Sequence, residues 1–134
     1  MTQSERRVTS RKLRVLIVDD DANFRLALTT LLETDQRLEV VATAANGEQA
    51  LRYALLLRPD IVTMDIEMPI MDGVEATKQI LELLPSTRVI LVSASAYADR
   101  AETAGQAGAS AYVPKAGTGD HLINTIVTVA EGLV

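Results

Sequence analysis

The 134-residue chain has no cysteine and a single histidine. Without a thiol there is no disulfide, no thiolate metal ligand and no cysteine nucleophile, so those chemistries are excluded at once. His121 has no ligand-type partner at metal spacing and reads as a surface residue at the start of a helix. No apolar run approaches the roughly 20 residues that a membrane-spanning helix needs, and the opening MTQSERRVTSRK is polar, lacking the apolar segment of a secretion signal. The expectation is a soluble cytoplasmic protein with no membrane partner.

Positive charge is scarce outside the first residues. Residues 1–13 carry Arg6, Arg7, Arg11 and Lys12 against Glu5, a net of +3, so a total of −5 leaves −8 for residues 14–134. Binding to a phosphate backbone needs clustered cations, and the body of the chain does not offer them. Residues 1–12 read as a flexible basic tail and residues 13–134 as one domain, with 48% hydrophobic residues, enough for a single core.

Five short apolar runs are present: Val15–Val18, Leu38–Thr43, Ile61–Met64, Val89–Val92 and Ala111–Val113. Apart from Glu39, Thr43 and Thr63 they are apolar and rich in Val and Ile, as strands buried on both faces of a parallel sheet are. Segments of helical spacing follow them: Ala22–Glu33, Gly47–Leu57, Val74–Leu84 before Pro85, Asp99–Ala107 before Gly108, and Asp120–Glu131 with Asp120 as the expected N-cap. The alternation predicts an α/β fold, a doubly wound (βα)5 flavodoxin-like three-layer sandwich with parallel strand order 2-1-3-4-5. Ligands in such sheets bind beyond the carboxyl ends of the strands.

The first strand runs directly into charge, in RVLIVDDDANFR. Adjacent carboxylates repel, so a cation should lie nearby. The strand-end positions are Asp19 and Asp20 after strand one, Asp65 after strand three, Ser93 after strand four and Lys115 past strand five, and the strand order brings them into one crevice. Asp21 reads as a helix N-terminal acid, and Asp72 with Gly73 as shaping the entry to helix three. Met64, Met68 and Met71 read as gap fillers around strand three. Gly117, Thr118 and Gly119 lack phosphate-loop spacing and read as an ordinary loop.

VDDD at 18–21, MDIEMPIMDG at 64–73, VSA at 92–94 and YVPK at 112–115 resemble, in order and at the right strand ends, the motifs of the receiver domain of two-component response regulators, the CheY-like family. The likeness spans about residues 13–132. The LIVDDD opening and KAGTGDHLINTIVTVAEG ending are most similar to receivers of the NarL/FixJ type.

The resemblance implies a phosphoacceptor, with Asp65 taking the phosphoryl group and Ser93 and Lys115 assisting. It implies Mg²⁺ at Asp19, Asp20, Asp65 and the backbone carbonyl of Glu67. Ser93 and Tyr112 would be switch residues that reshape helix four, strand five and helix five. The implied partners are a sensor histidine kinase or phosphotransfer protein as donor, and an output partner or domain that the motifs do not identify. Dimerisation through the switch surface stays open. Glu67 and Ser95 would flank the approach of a hydrolytic water.

Two other readings remain. A degenerate interaction module would never take phosphate. A small phosphohydrolase with an aspartate nucleophile would use Glu67, two residues after Asp65, as its acid, but the chain has no insertion long enough for a substrate cap. Many receivers carry proline after the lysine, where this chain has Ala116, which leaves the Lys115–Ala116 bond either cis or trans.

Overall fold

In the computed structural model, residues 11–94 and 98–132 are described, with the backbone alone for 98–101 and 117. The order is β1 (Leu13–Val18), α1 (Ala22–Leu32), β2 (Leu38–Ala44), α2 (Gly47–Leu57), β3 (Ile61–Met64), α3 (Gly73–Leu83), β4 (Arg88–Ser93), α4 (Ala98–Ala107), β5 (Ala111–Pro114) and α5 (Asp120–Ala130), with a 3₁₀ turn at Lys115–Gly117. All strand pairs are parallel, and the sheet order is β2-β1-β3-β4-β5, as the alternation of elements predicts.

Alternation along the strands divides the core. Leu16, Val18, Val62, Met64, Val89 and Leu91 face α2, α3 and α4, where Ala50, Ala54, Ala76, Ile80 and Ala104 meet them. Val15, Ile17, Ile61, Ile90, Val92 and Val113 face the opposite layer, against Leu28 and Leu32 of α1 and Leu122, Ile126 and Val129 of α5. Successive strand side chains point to opposite faces, so a strand covered by helices on both sides has no position for a polar residue. Hence the largely apolar runs of the inner strands, while β2 at the sheet edge exposes Glu39 and Thr43. Met64 is buried, and Met68 and Met71 pack at the edge of the first layer, the gap-filling place expected of them.

Thr63 is the exception inside β3. It pairs in register with Ile17 and Ile90 and is buried, and among the described residues its hydroxyl has no hydrogen-bond partner. A buried hydroxyl that has lost its water without gaining a partner costs stability. Thr63→Val is therefore expected to raise unfolding stability by about 1 kcal/mol, read as a higher urea midpoint at unchanged slope. A lowered midpoint would mean that a buried water holds the hydroxyl.

Element ends differ from the sequence reading by one or two residues, and some differences have a clear cause. Leu84 precedes Pro85, which disfavours helical backbone at the preceding residue; it takes φ −132° as the C-cap, and α3 ends at Leu83. The expected cap of α5 is corrected: Gly119 at φ 78° is the N-cap and makes no side-chain cap bond, while Asp120 is the first helical residue. The chain leaves the 3₁₀ turn through a left-handed conformation that glycine adopts cheaply. The Lys115–Ala116 peptide bond is trans. β5 is an edge strand, which accommodates Pro114.

At the opposite end of the sheet, Arg11 makes a bidentate pair with Asp60, at 2.7 and 2.8 Å, and Asp60 also accepts from the Arg14 backbone N–H. Among the described residues, Arg11, inside the stretch read as tail, contacts the domain. Among the described residues, no helix is long and apolar enough to cross a membrane.

Candidate functional site

Three carboxylates meet where β1 and β3 end. The parallel ladder continues one residue past each strand, with Asp19 N–H donating to Ala44 O at 3.0 Å and Asp65 N–H to Val18 O at 3.0 Å. Both aspartates are thereby fixed by backbone bonds before their side chains act. Asp19 is 1% and Asp65 4% exposed, while Asp20 is exposed at the mouth. Each of the three offers an oxygen within 4.8 Å of those of the other two.

The fourth group arrives from β5. The Lys115 Nζ lies 2.8 Å from Asp19 Oδ2 and 3.9 Å from Asp65 Oδ2. The other Asp19 oxygen accepts from the Asp21 backbone N–H at 2.9 Å, and the Asp19 carbonyl accepts from Arg25 Nη1 at 2.7 Å. Asp21 caps α1 through Asn23 N–H and Phe24 N–H, a structural duty that matches its sequence reading. Asp72 likewise caps α3 by accepting from Glu75 N–H at 2.9 Å.

Burial, followed by the neighbouring charge of Asp19, pushes the Asp65 carboxyl up to about 7; Lys115 opposes this and Asp20 adds to it. For Lys115, burial is the largest influence and acts downward, but the Asp19 hydrogen bond and the charges of Asp65, Asp19 and Asp20 together outweigh it, and its pKa is raised. One ammonium thus faces three acids. This arrangement fits a hard divalent cation: the donors are carboxylate oxygens, two of the three are held by backbone, and a second positive charge would relieve the repulsion at Asp65.

Ser93 ends β4, buried, in register with Pro114. Tyr112 on β5 pairs with Leu91, is half-buried against the α2/α3/α4 layer and has its hydroxyl withdrawn from solvent. Glu67 is exposed in the loop after β3. Ser95 lies outside the described residues. His121 is exposed on α5.

Three contributors were missed from sequence. Phe24 lies with its ring centroid 4.5 Å from Lys115 Nζ, and Arg25 binds the Asp19 carbonyl. Gly47 donates to Met71 O at 3.1 Å, and a Cβ there would come within 2.5 Å of that oxygen, so α2 abuts the loop after β3. The only sequence signal for it was a glycine at a helix start.

Comparison with known proteins bears on the same residues. The family described as the response regulator receiver domain matches residues 15–127. A curated relative, protein-glutamate methylesterase/protein-glutamine glutaminase 5 of Geobacter metallireducens, is 47% identical over 107 residues; the match covers 78% of this chain and 30% of that protein. The chain therefore spans about a third of the length of that relative. Among solved structures, a two-component response regulator of the LuxR family from Aurantimonas sp. SI85-9A1 aligns with a TM-score of 0.87 at 32% identity, covering 90% of this chain and 86% of that one. The response regulator domain of Thermotoga maritima CheB aligns at 0.77 and 32% identity, covering 92% of this chain and 96% of that one.

Proposed function

The chain belongs to the response regulator receiver family, and on that premise we propose that it accepts a phosphoryl group on Asp65 and relays its presence through the α4, β5 and α5 surface. The observation that carries the proposal is the meeting of one ammonium with three carboxylates, Lys115 Nζ lying 3.9 Å from Asp65 and 2.8 Å from Asp19.

Asp65 Oδ attacks phosphorus; the bond from phosphorus to the donor breaks, and the donor leaves with that electron pair. Asp19, Asp20, Asp65 and the Glu67 carbonyl would hold a divalent ion such as Mg²⁺, which would neutralise charge on the transferring group. Lys115 contributes a positive charge on the other side, and Ser93 a hydroxyl donor, both most favourable once negative charge has gathered on the phosphoryl oxygens. In the acyl phosphate the same two groups hold those oxygens by charge-assisted hydrogen bonds. Tyr112, whose hydroxyl is already withdrawn from solvent, is then held in that buried position, and the population shifts toward the active surface.

This reading takes residues 13–134 as the receiver, preceded by a basic stretch, residues 1–12, whose Arg11 pairs with Asp60 of the domain, in a cytoplasmic protein. The phosphodonor is a sensor histidine kinase or a phosphotransfer protein. The domain turns over no external substrate beyond its own phosphorylation and slow dephosphorylation. Methylesterase or transcriptional output, as named for the relatives, would belong to other domains or partners, and a homodimer through α4, β5 and α5 is compatible with this role.

Intact mass after incubation with Mg²⁺ and acetyl phosphate tests the proposal. Wild type is expected to gain one phosphate and Asp65→Asn none. An unmodified wild type, or a variant that still gains mass, removes it. Beryllofluoride with Mg²⁺ separates a degenerate module, which would not respond, from a working receiver.

A further inference from the structure

We infer that Phe24 is a positioning residue for Lys115, holding its ammonium over the acidic crevice by a cation–π contact. The inference rests on the reading of Asp65 as phosphoacceptor. The observation is the 4.5 Å separation of Lys115 Nζ from the Phe24 ring centroid, well inside the roughly 6 Å range of such attraction.

Lys115 needs such support because of where it sits. It follows an edge strand, opens a 3₁₀ turn, and has a side chain 23% exposed. A four-carbon stem there can swing to water, and confining it costs rotamer entropy. The Asp19 carboxylate holds the ammonium on one side at 2.8 Å, and the ring meets it as well.

The ring is itself well fixed. Phe24 is in the first turn of α1, its N–H is capped by Asp21 at 3.3 Å, its body packs with the α1/α5 layer, and the next residue, Arg25, ties α1 to the Asp19 carbonyl. The α1 entry therefore delivers both Asp19 and the aromatic face to the same lysine. An aromatic face is chemically suited to this place. A fourth carboxylate would bind the ammonium more tightly but add repulsion against an incoming phosphoryl group. The quadrupole of the ring attracts the cation without net charge and occupies none of its hydrogen-bond donors, leaving them for Asp19 and the phosphoryl oxygens.

The test uses the full chain as wild type, Phe24→Leu, which keeps apolar bulk, and Phe24→Tyr, which keeps the ring. Two quantities are read: the initial rate of mass gain with Mg²⁺ and acetyl phosphate, and the proton resonances of the Lys115 ε-methylene without phosphodonor. Phe24→Leu is expected to slow phosphorylation by about three- to tenfold and to shift the Lys115 resonances toward those of Lys78, an exposed lysine on α3. Phe24→Tyr should restore both, with the rate within about twofold of wild type.

A role in packing alone predicts that Leu serves as well as Tyr and that the Lys115 resonances stay in place; either result overturns the inference. So does a Phe24→Leu protein whose resonances move while its rate does not. A wild type that takes no phosphate ends the reading of Asp65 instead, and the Lys115 resonances alone then judge whether Phe24 holds the ammonium.

Discussion

Replacing Gly73 with alanine is expected to destabilise the protein by about 3 kcal/mol or more and to weaken divalent-ion binding at the same time. A Cβ on Gly73 would lie 1.9 Å from the Asp65 carbonyl oxygen and 2.8 Å from its carbonyl carbon. That neighbour is backbone, so no rotamer change relieves the overlap. The Gly73 N–H donates to Ile66 O at 2.8 Å, which anchors the start of α3 directly behind the acid. Either α3 moves outward and gives up its buried contacts through Ala76 and Ile80, or Asp65 moves and the carboxylate cluster opens.

Gly105→Ala is the control. Gly105 lies within α4 with nothing within 4 Å of its missing Cβ, so alanine there should stabilise by about 1 kcal/mol through helix propensity. Urea denaturation with and without Mg²⁺ on both variants checks the pair. A Gly73→Ala protein as stable as wild type, with unchanged ion affinity, would show that the entry to α3 yields freely.

The second large effect concerns charge. In metal-free buffer at pH 8, Asp65→Asn is expected to be more stable than wild type by about 2 kcal/mol, with the difference fading as pH falls toward 4. The sign follows from proton counts. Asp65 titrates near 7 in the folded state, against an ordinary value of 3.8. Between those values the folded protein holds more protons than the unfolded chain, so stability falls as pH rises through the window. Above 7 the loss is complete, because burial and the charge of Asp19 then act on a full carboxylate.

The ceiling from such a separation is about 4 kcal/mol, and water reaching the crevice mouth lowers it to about half. Asparagine keeps the shape without the charge. Mg²⁺ should narrow the gap, since only the wild type would offer the ion all three carboxylates. Thermal or urea unfolding at several pH values, with chelator and then with Mg²⁺, gives the comparison. Equal stability at pH 8, or an advantage that grows on acidification, would contradict the account of Asp65.

How far the sequence reached can be judged from particular residues. The strand runs were readable because both sheet faces are covered, so period-two polarity is absent and five apolar blocks stand out between amphipathic segments. The convergence of Asp19, Asp20, Asp65 and Lys115 followed once the strand order was assumed, since strand order decides which termini are neighbours. The cap at the start of α5 was misplaced by one residue, because a side-chain preference at Asp120 competed with a backbone conformation open to Gly119. Ile70 at φ 71°, a β-branched residue 76% exposed in the left-handed region, carried no signal in its letters at all.

Local chemistry and periodicity thus determined which segments become strands or helices and which acids stand at strand ends. Tertiary structure decided the rest: that Asp19 holds Lys115 closer than Asp65 does, that the Phe24 ring reaches the same ammonium from α1, and that Gly73 is a glycine because the Asp65 backbone occupies the space of a side chain. The reason is distance. Periodicity and capping act over a few residues, whereas these contacts join positions 8 to 96 residues apart, and only the packing of helices on the sheet sets which atoms meet.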